Sequence, residues 1–191
     1  FPRGALLGII VAVLALWPGW TTPTARLIGD EGLDVWSHAW GIRWFYSAIS
    51  SGALPWQVDG LAWPRGGVLW YIDPLGALVS LPVQAVAGVA AGHNAILFVQ
   101  VVLAVWAGWG LARALGGRGW IAGLALGTAP TLLAEIHNGT VEACWLGLVP
   151  LAGWAAARRS PWAGPLVGVA SFATPYHGIG AALLVGTILL L

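Results

Sequence analysis

The chain has 191 residues, 59% of them hydrophobic and 8% charged, with a mean hydropathy of +0.83. Soluble domains carry about 25% charged residues, so the composition excludes an ordinary soluble globule and points to a polytopic membrane protein. A net charge of +1 with no basic cluster excludes a nucleic-acid partner, and the single Cys144 excludes an internal disulfide or a cysteine-built metal centre.

Residues 4–20 are apolar after Arg3 and read as a first span; a signal peptide fits the same pattern. Residues 21–92 read as one long loop on the outer side. Eight of the fourteen tryptophans fall between Trp17 and Trp70, which marks an interface and not a span. Within the loop, residues 29–44 are the most polar stretch of the chain. A helix over 34–51 places Asp34 and His38 one turn apart on one face, with Trp36, Trp40 and Trp44 roughly opposite. That pattern describes a helix on the membrane surface with chemistry on its upper side. A plain polar connection between two spans is the competing reading.

Residues 68–91 are apolar enough to span but contain Asp73-Pro74, Pro82 and Gln84. If they span, Arg113, Arg118, Arg158 and Arg159 fall outside. If they form a second interfacial or re-entrant helix, all four fall inside with Arg3, as positive charge near span ends prefers. The second arrangement is expected. Spans then follow at 94–115, 119–135, 141–157, 161–174 and 178–191, with Gly123 and Gly127 as a close-packing face and Pro130 as a kink. The predicted fold is all-α: a polytopic integral membrane helical bundle with interfacial helices in the first outer loop. It forms a single transmembrane domain over 1–191. The chain opens on Phe1 and stops inside an apolar run, so it is expected to be a fragment.

This topology puts all seven acids (Asp30, Glu31, Asp34, Asp59, Asp73, Glu135, Glu142) and all four histidines on the outer side. Insertion does not demand that, since acids contribute little to orientation, whereas an outward-facing active site predicts it. Asp30, Glu31 and Asp34 offer a general base or oxygen ligands for a hard divalent cation such as Mg²⁺ or Mn²⁺. Asp34 is equally placed to cap the helix. Glu135, His137 and Glu142 form a second outer cluster placed to face the first loop across a cavity; ordinary turn chemistry also explains it. Arg43 and Arg65 suit a lipid phosphate or simple headgroup anchoring. Tyr176 and His177 sit at an expected helix break, where non-helical backbone can line a cavity.

The ordered motifs resemble those of the GT-C membrane glycosyltransferases. They run from Gly29-Asp30 and Asp34-x-Trp36 with Trp40 and Trp44, through Leu54-Pro55 and Trp63-Pro64-x-Gly66-Gly67, to Asp73-Pro74-Leu75 and Leu81-Pro82. Leu111-Ala112-Arg113-x-Leu115-Gly116-Gly117, Ala122-Gly123, Ala129-Pro130, Pro150-Leu151 and Thr174-Pro175-Tyr176-His177-Gly178 complete the series. The resemblance implies a catalytic first outer loop and inverting transfer of a sugar from a polyprenyl-phosphate donor in a bacterial inner membrane, on the periplasmic side. It carries the base role to Asp34, with Asp30 as competitor. It implies substrate contacts from His38, Arg43, Arg65, Glu135, His137, Glu142, Tyr176 and His177. The chain has no Asp-x-Asp, so the resemblance assigns no metal. A transporter or flippase and a non-catalytic scaffold are the alternatives. A transporter wants polar groups deep in its spans, and Gln100 is the main one there.

Overall fold

The computed structural model describes residues 2–61, 64–68 and 73–191. Trp63 of the expected Trp-Pro turn and residues 69–72 of the expected second interfacial helix lie outside the described residues. The chain is mostly helical. Helix α1 (Pro2–Ala15) stops before residue 20 because Pro18 has no amide to donate; a single 3-10 turn, Gly19–Thr21, follows. Helix α2 (Val35–Ser50) matches the amphipathic stretch expected at 34–51. The loop after it is not wholly irregular: β1 (Gln57–Val58) and β2 (Gly67–Val68) pair antiparallel, Gln57 opposite Val68, a small departure from an all-α chain.

The stretch α3 (Pro74–Ala114) is 41 residues of helix interrupted by one kink. The expected surface helix at 68–91 and the expected span at 94–115 are two helical arms that meet at a kink at Gly88, whose φ of 83° and ψ of 178° are non-helical, so their boundary falls at Gly88. Glycine accepts that φ without steric cost, so the helix turns a corner and resumes. The expected boundary at Gly92-His93-Asn94 does not form, because both polar side chains are buried within the helix and find partners on the first loop.

Other expected spans break into shorter pieces. Residues 119–135 become α4 (Gly119–Gly127) and α5 (Pro130–Asn138). Ala129 is extended, as a residue before proline prefers, and Pro130 takes the first helical position. The expected span at 141–157 begins with a 3-10 segment, Val141–Gly147, and only then becomes α6 (Leu148–Ala157). Helix α7 covers Ala163–Ala173. Helix α8 (Pro175–Leu190) starts earlier than 178, so Tyr176 and His177 lie in its first turn and the break falls at extended Thr174. Among the described residues, two stretches, Pro74–Ala114 and Gly119–Asn138, are long and apolar enough to cross a membrane.

Helix α3 is the axis of the packing. One core joins Ile42 and Phe45 of α2 with Ile96, Trp145, Leu148 and Val185. The other joins Val11 and Leu16 with Leu97, Val101, Val105, Leu132, Ile136 and Val141. Consecutive residues Ile96 and Leu97 thus face different cores, as the 100° turn per residue requires. The Gly123/Gly127 face packs as expected. A β-carbon on Gly123 would stand 2.9 Å from the Val105 carbonyl oxygen, and one on Gly127 would stand 2.2 Å from a Val105 methyl. Helix α4 can lie this close to α3 only with no side chain there.

Candidate functional site

The first loop is fastened at both ends of its polar stretch. Upstream, Asn94 on α3 donates to the carbonyls of Pro23 (2.9 Å) and Arg26 (2.7 Å) and accepts from the Ile28 amide (2.9 Å). His93 Nε2 lies 2.9 Å from the Ile28 carbonyl. Downstream, the amides of Asp30 and Asp34 donate to the carbonyls of His137 (2.7 Å) and Asn138 (3.1 Å). Gly139 ends α5 at φ 78°, and a β-carbon there would stand 2.6 Å from the Val35 α-carbon. The turn after α5 and the start of α2 therefore meet backbone to backbone. The two acidic clusters read separately from the sequence are brought together.

At this junction His38 Nε2 lies 3.3 Å from Glu142 Oε2, with side chains 4% and 19% exposed. Burial pushes the Glu142 carboxyl up to about 7, against its own backbone hydrogen bond and with help from the charges of Asp73, Asp34 and Glu135. Burial also lowers the His38 imidazole, and the Asp34 carboxylate opposes that. Both shifts favour the uncharged forms of a carboxyl and an imidazole that stand side by side.

Asp34 stands at the N-terminus of α2, but its side chain does not cap the helix. Its carbonyl takes the local bonds, from Ser37 Oγ at 2.7 Å and the His38 amide at 3.2 Å. The carboxylate is left exposed at the mouth of the junction. Asp30 is engaged differently: its carboxylate accepts from the Gly32 amide (2.8 Å) and lies 3.6 Å from His137 Nε2.

Near the junction is buried Asp73, which the sequence places among the outer acids and in the Asp73-Pro74-Leu75 motif without a role of its own. It accepts from the Gly76 amide at 2.7 Å and from Trp145 Nε1 at 2.9 and 3.0 Å. Burial raises its carboxyl to about 6, against those two donors. No motif signalled the pair, since the partners are 72 positions apart. His177 Nε2 lies 3.0 Å from the Ala143 carbonyl, next to Glu142, so α8 reaches the same region through its first turn.

Not every expected residue joins. Tyr176 is 84% exposed. Arg43 is exposed on α2, over the Tyr46 ring at 5.9 Å, and Arg65 is exposed in the turn before β2. The structure thus gives Arg43 and Arg65 no contact with the acidic junction among the described residues. Glu135 reaches it only through the charge it exerts on Glu142. Among the described residues, no three histidine, cysteine or acidic side chains group closely enough to hold a metal ion, so Asp30, Glu31 and Asp34 do not form the expected cation set.

The indole side of α2 is as expected: Trp36 and Trp40 are exposed, and Trp40 stacks on Trp44 at 6.4 Å. The His38 side, in contrast, faces the bundle, not away from it. Two clefts flank the fastened loop. One, of 440 Å³, lies between the end of α1, the loop and α5, with Arg26 and His137 in its wall. The other, of 640 Å³, runs from Arg26 and Glu31 past Trp36 to Val89 and Ala90, beside the α3 bend. Arg26 lines both and was not singled out from the sequence; its signal was its place four residues before the acidic run.

The arrangement offers an exposed carboxylate, a close His38–Glu142 pair behind it and a cation at a cleft wall. Those are the parts needed to deprotonate a nucleophile and accept an anionic leaving group. Compared with known protein families, curated proteins and solved structures, the chain gives no match.

Proposed function

We propose that the chain is the catalytic part of a membrane glycosyltransferase. It would transfer a sugar from a polyprenyl-phosphate donor to an acceptor hydroxyl on the outer face of a bacterial inner membrane. The membrane reading draws on the two membrane-length apolar helices and on the large apolar side chains left exposed along α1 and α8, such as Leu6, Leu14, Leu183 and Leu190. Arginines at the far end of α3 favour that end as cytoplasmic and the acidic junction as external. The single observation that carries the enzymatic reading is the junction itself, where the Asp34 loop, His38 and Glu142 meet.

In this mechanism Asp34 is the base. It takes the proton of the acceptor hydroxyl as that oxygen bonds to the sugar C1. The bond from C1 to the phosphate oxygen breaks on the opposite face, and polyprenyl phosphate leaves with the electron pair. Glu142 and His38, 3.3 Å apart, stand behind Asp34 and set the electrostatics of the junction. Arg26 supplies positive charge to the leaving phosphate from the cleft beside α1, with His137 in the same wall, where the prenyl chain finds Leu16, Trp17 and Leu133. Asp30, tied to His137, orients that imidazole and is not the base.

One observation favours a transporter: Ser80, Gln84, His93, Asn94 and Gln100 form a buried polar series along α3. Most of the series is committed to holding neighbouring backbone. Gln84 donates to the Ile42 carbonyl (3.0 Å) and Gln100 to the Val141 carbonyl (2.7 Å), while His93 and Asn94 hold the loop. Residues fixed in this way support a scaffold better than a path for solute.

The test is turnover of a radiolabelled polyprenyl-phosphate hexose by the full chain in proteoliposomes. Asp34→Asn should cut release of polyprenyl phosphate by about 10²–10⁴-fold, the usual worth of a placed base. Release that is unchanged in Asp34→Asn, or absent in the unaltered chain, overturns the proposal.

A further inference from the structure

The opposite end of α3 carries a second site, built differently. A cleft of 380 Å³ opens between the C-terminal ends of α3 and α6, lined by Trp106, Trp109, Gly110, Arg113, Trp154 and Arg158. Its aromatic wall is fixed in place. Trp106 and Trp154 pack edge to face at 5.4 Å. A β-carbon on Gly110 would stand 2.3 Å from the Trp154 ring, and one on Gly119 would stand 2.7 Å from the Trp109 ring. Both glycines therefore exist in contact with an indole, and each lets its ring lie flat against the helix backbone.

Arg113 and Arg158 stand at the mouth, both exposed. All seven acids of the chain lie among the described residues, and neither arginine pairs with any of them. Two guanidinium groups over an indole wall, with no internal counter-charge, are free to pair with an external anion that has an apolar body beside it. Guanidinium matches the phosphate group through paired N–H bonds. Around the mouth, Leu115, Trp120, Ile121 and Trp162 are exposed, the side chains of a membrane–water boundary.

We propose that this cleft binds the phosphate of an anionic phospholipid, with Arg113 and Arg158 on the headgroup and the acyl chain root against Trp109 and Trp154. Basic pockets between helices on the cytoplasmic side are where such headgroups bind. The proposal rests on the membrane reading and is independent of the sugar-transfer chemistry at the other end.

Native mass spectrometry of the full chain, released from neutral detergent with added phosphatidylglycerol or phosphatidylcholine, tests it. The unaltered chain should retain one phosphatidylglycerol at least tenfold more tightly than phosphatidylcholine. Arg113→Gln with Arg158→Gln should abolish that preference, while Arg118→Gln with Arg159→Gln, at the same end but outside the cleft, should keep it. Equal loss in both double variants, equal retention of the two lipids, or displacement of the lipid by millimolar inorganic phosphate overturns the proposal. Far-ultraviolet circular dichroism of each variant confirms that the helices persist, and the Arg118/Arg159 double variant keeps the comparison decisive.

Discussion

Asn94→Ala should unlock the first loop without touching the acidic junction. Asn94 is 1% exposed and makes three bonds to loop backbone, to Pro23, Arg26 and Ile28. At roughly 1 kcal/mol net per bond, the variant lowers the cost of local opening by about 3 kcal/mol. That corresponds to an increase on the order of 10²-fold in the open population. Arg26 sits inside the clamped stretch, so trypsin reports the opening directly by cleavage after Arg26. When reclosing is fast, the cleavage rate follows the open population. Cleavage after Arg26 should rise on the order of 10²-fold, while cleavage after Arg65, in a different turn, should stay within about twofold. Sugar transfer should fall together with it, because Asp34 is positioned by the same loop. Equal cleavage after Arg26 in the variant and the unaltered chain would refute the clamp.

Further outcomes follow from the buried carboxyls and the helix contacts. Trp145→Phe removes the indole donor from Asp73, and its pKa should climb from about 6 by roughly 1–2 units, as read by carboxyl carbon NMR titration; an unmoved titration would refute the contact. The folded Glu142 carboxyl, raised from 4.5 to about 7, binds a proton that the unfolded chain has released. Its contribution therefore favours the fold below about pH 4.5 and is lost as pH rises through about 7. In thermal melts, Glu142→Gln should flatten the fall in stability between pH 5 and 8; an unchanged slope contradicts the burial argument. Gly127→Leu drives a side chain into Val105 and should destabilise the α3–α4 contact by about 1–3 kcal/mol in denaturant titration. Unchanged stability would mean that the helices lie further apart.

Helix α2 was legible because its signal is local: Trp36, Trp40 and Trp44 against His38 at helical spacing. Pro130 and the Gly123/Gly127 face were legible for the same reason, each acting within a turn or two of itself. The rest depended on partners distant in sequence. Gly92-His93-Asn94 looks like a turn, and it stays helical because the backbone of residues 23–28 supplies what those side chains need. Gly88, one glycine in a run of small residues, gives no local sign that it carries the bend. The 3-10 start at Val141–Gly147 answers to the close approach of Gly147 to Ala104, where a β-carbon would stand 2.6 Å from the amide nitrogen. Within the site, the acids of the two clusters were visible individually. That they face each other was an expectation of the sequence; how they meet was not legible, since the contact is made by carbonyls of His137 and Asn138 that any residue type could offer. Asp73 and Trp145 were invisible as a pair, and Arg26 was overshadowed by Arg43 and Arg65.

The central claim is that the loop acid and the turn acid serve one reaction at one place. A double-mutant cycle on sugar-transfer rate, with Asp34→Asn, Glu142→Gln and both together, measures that directly. The account predicts that each single change slows transfer, and that the double variant is scarcely slower than Asp34→Asn alone. Losses that multiply independently, or a Glu142→Gln rate equal to that of the unaltered chain, would contradict it.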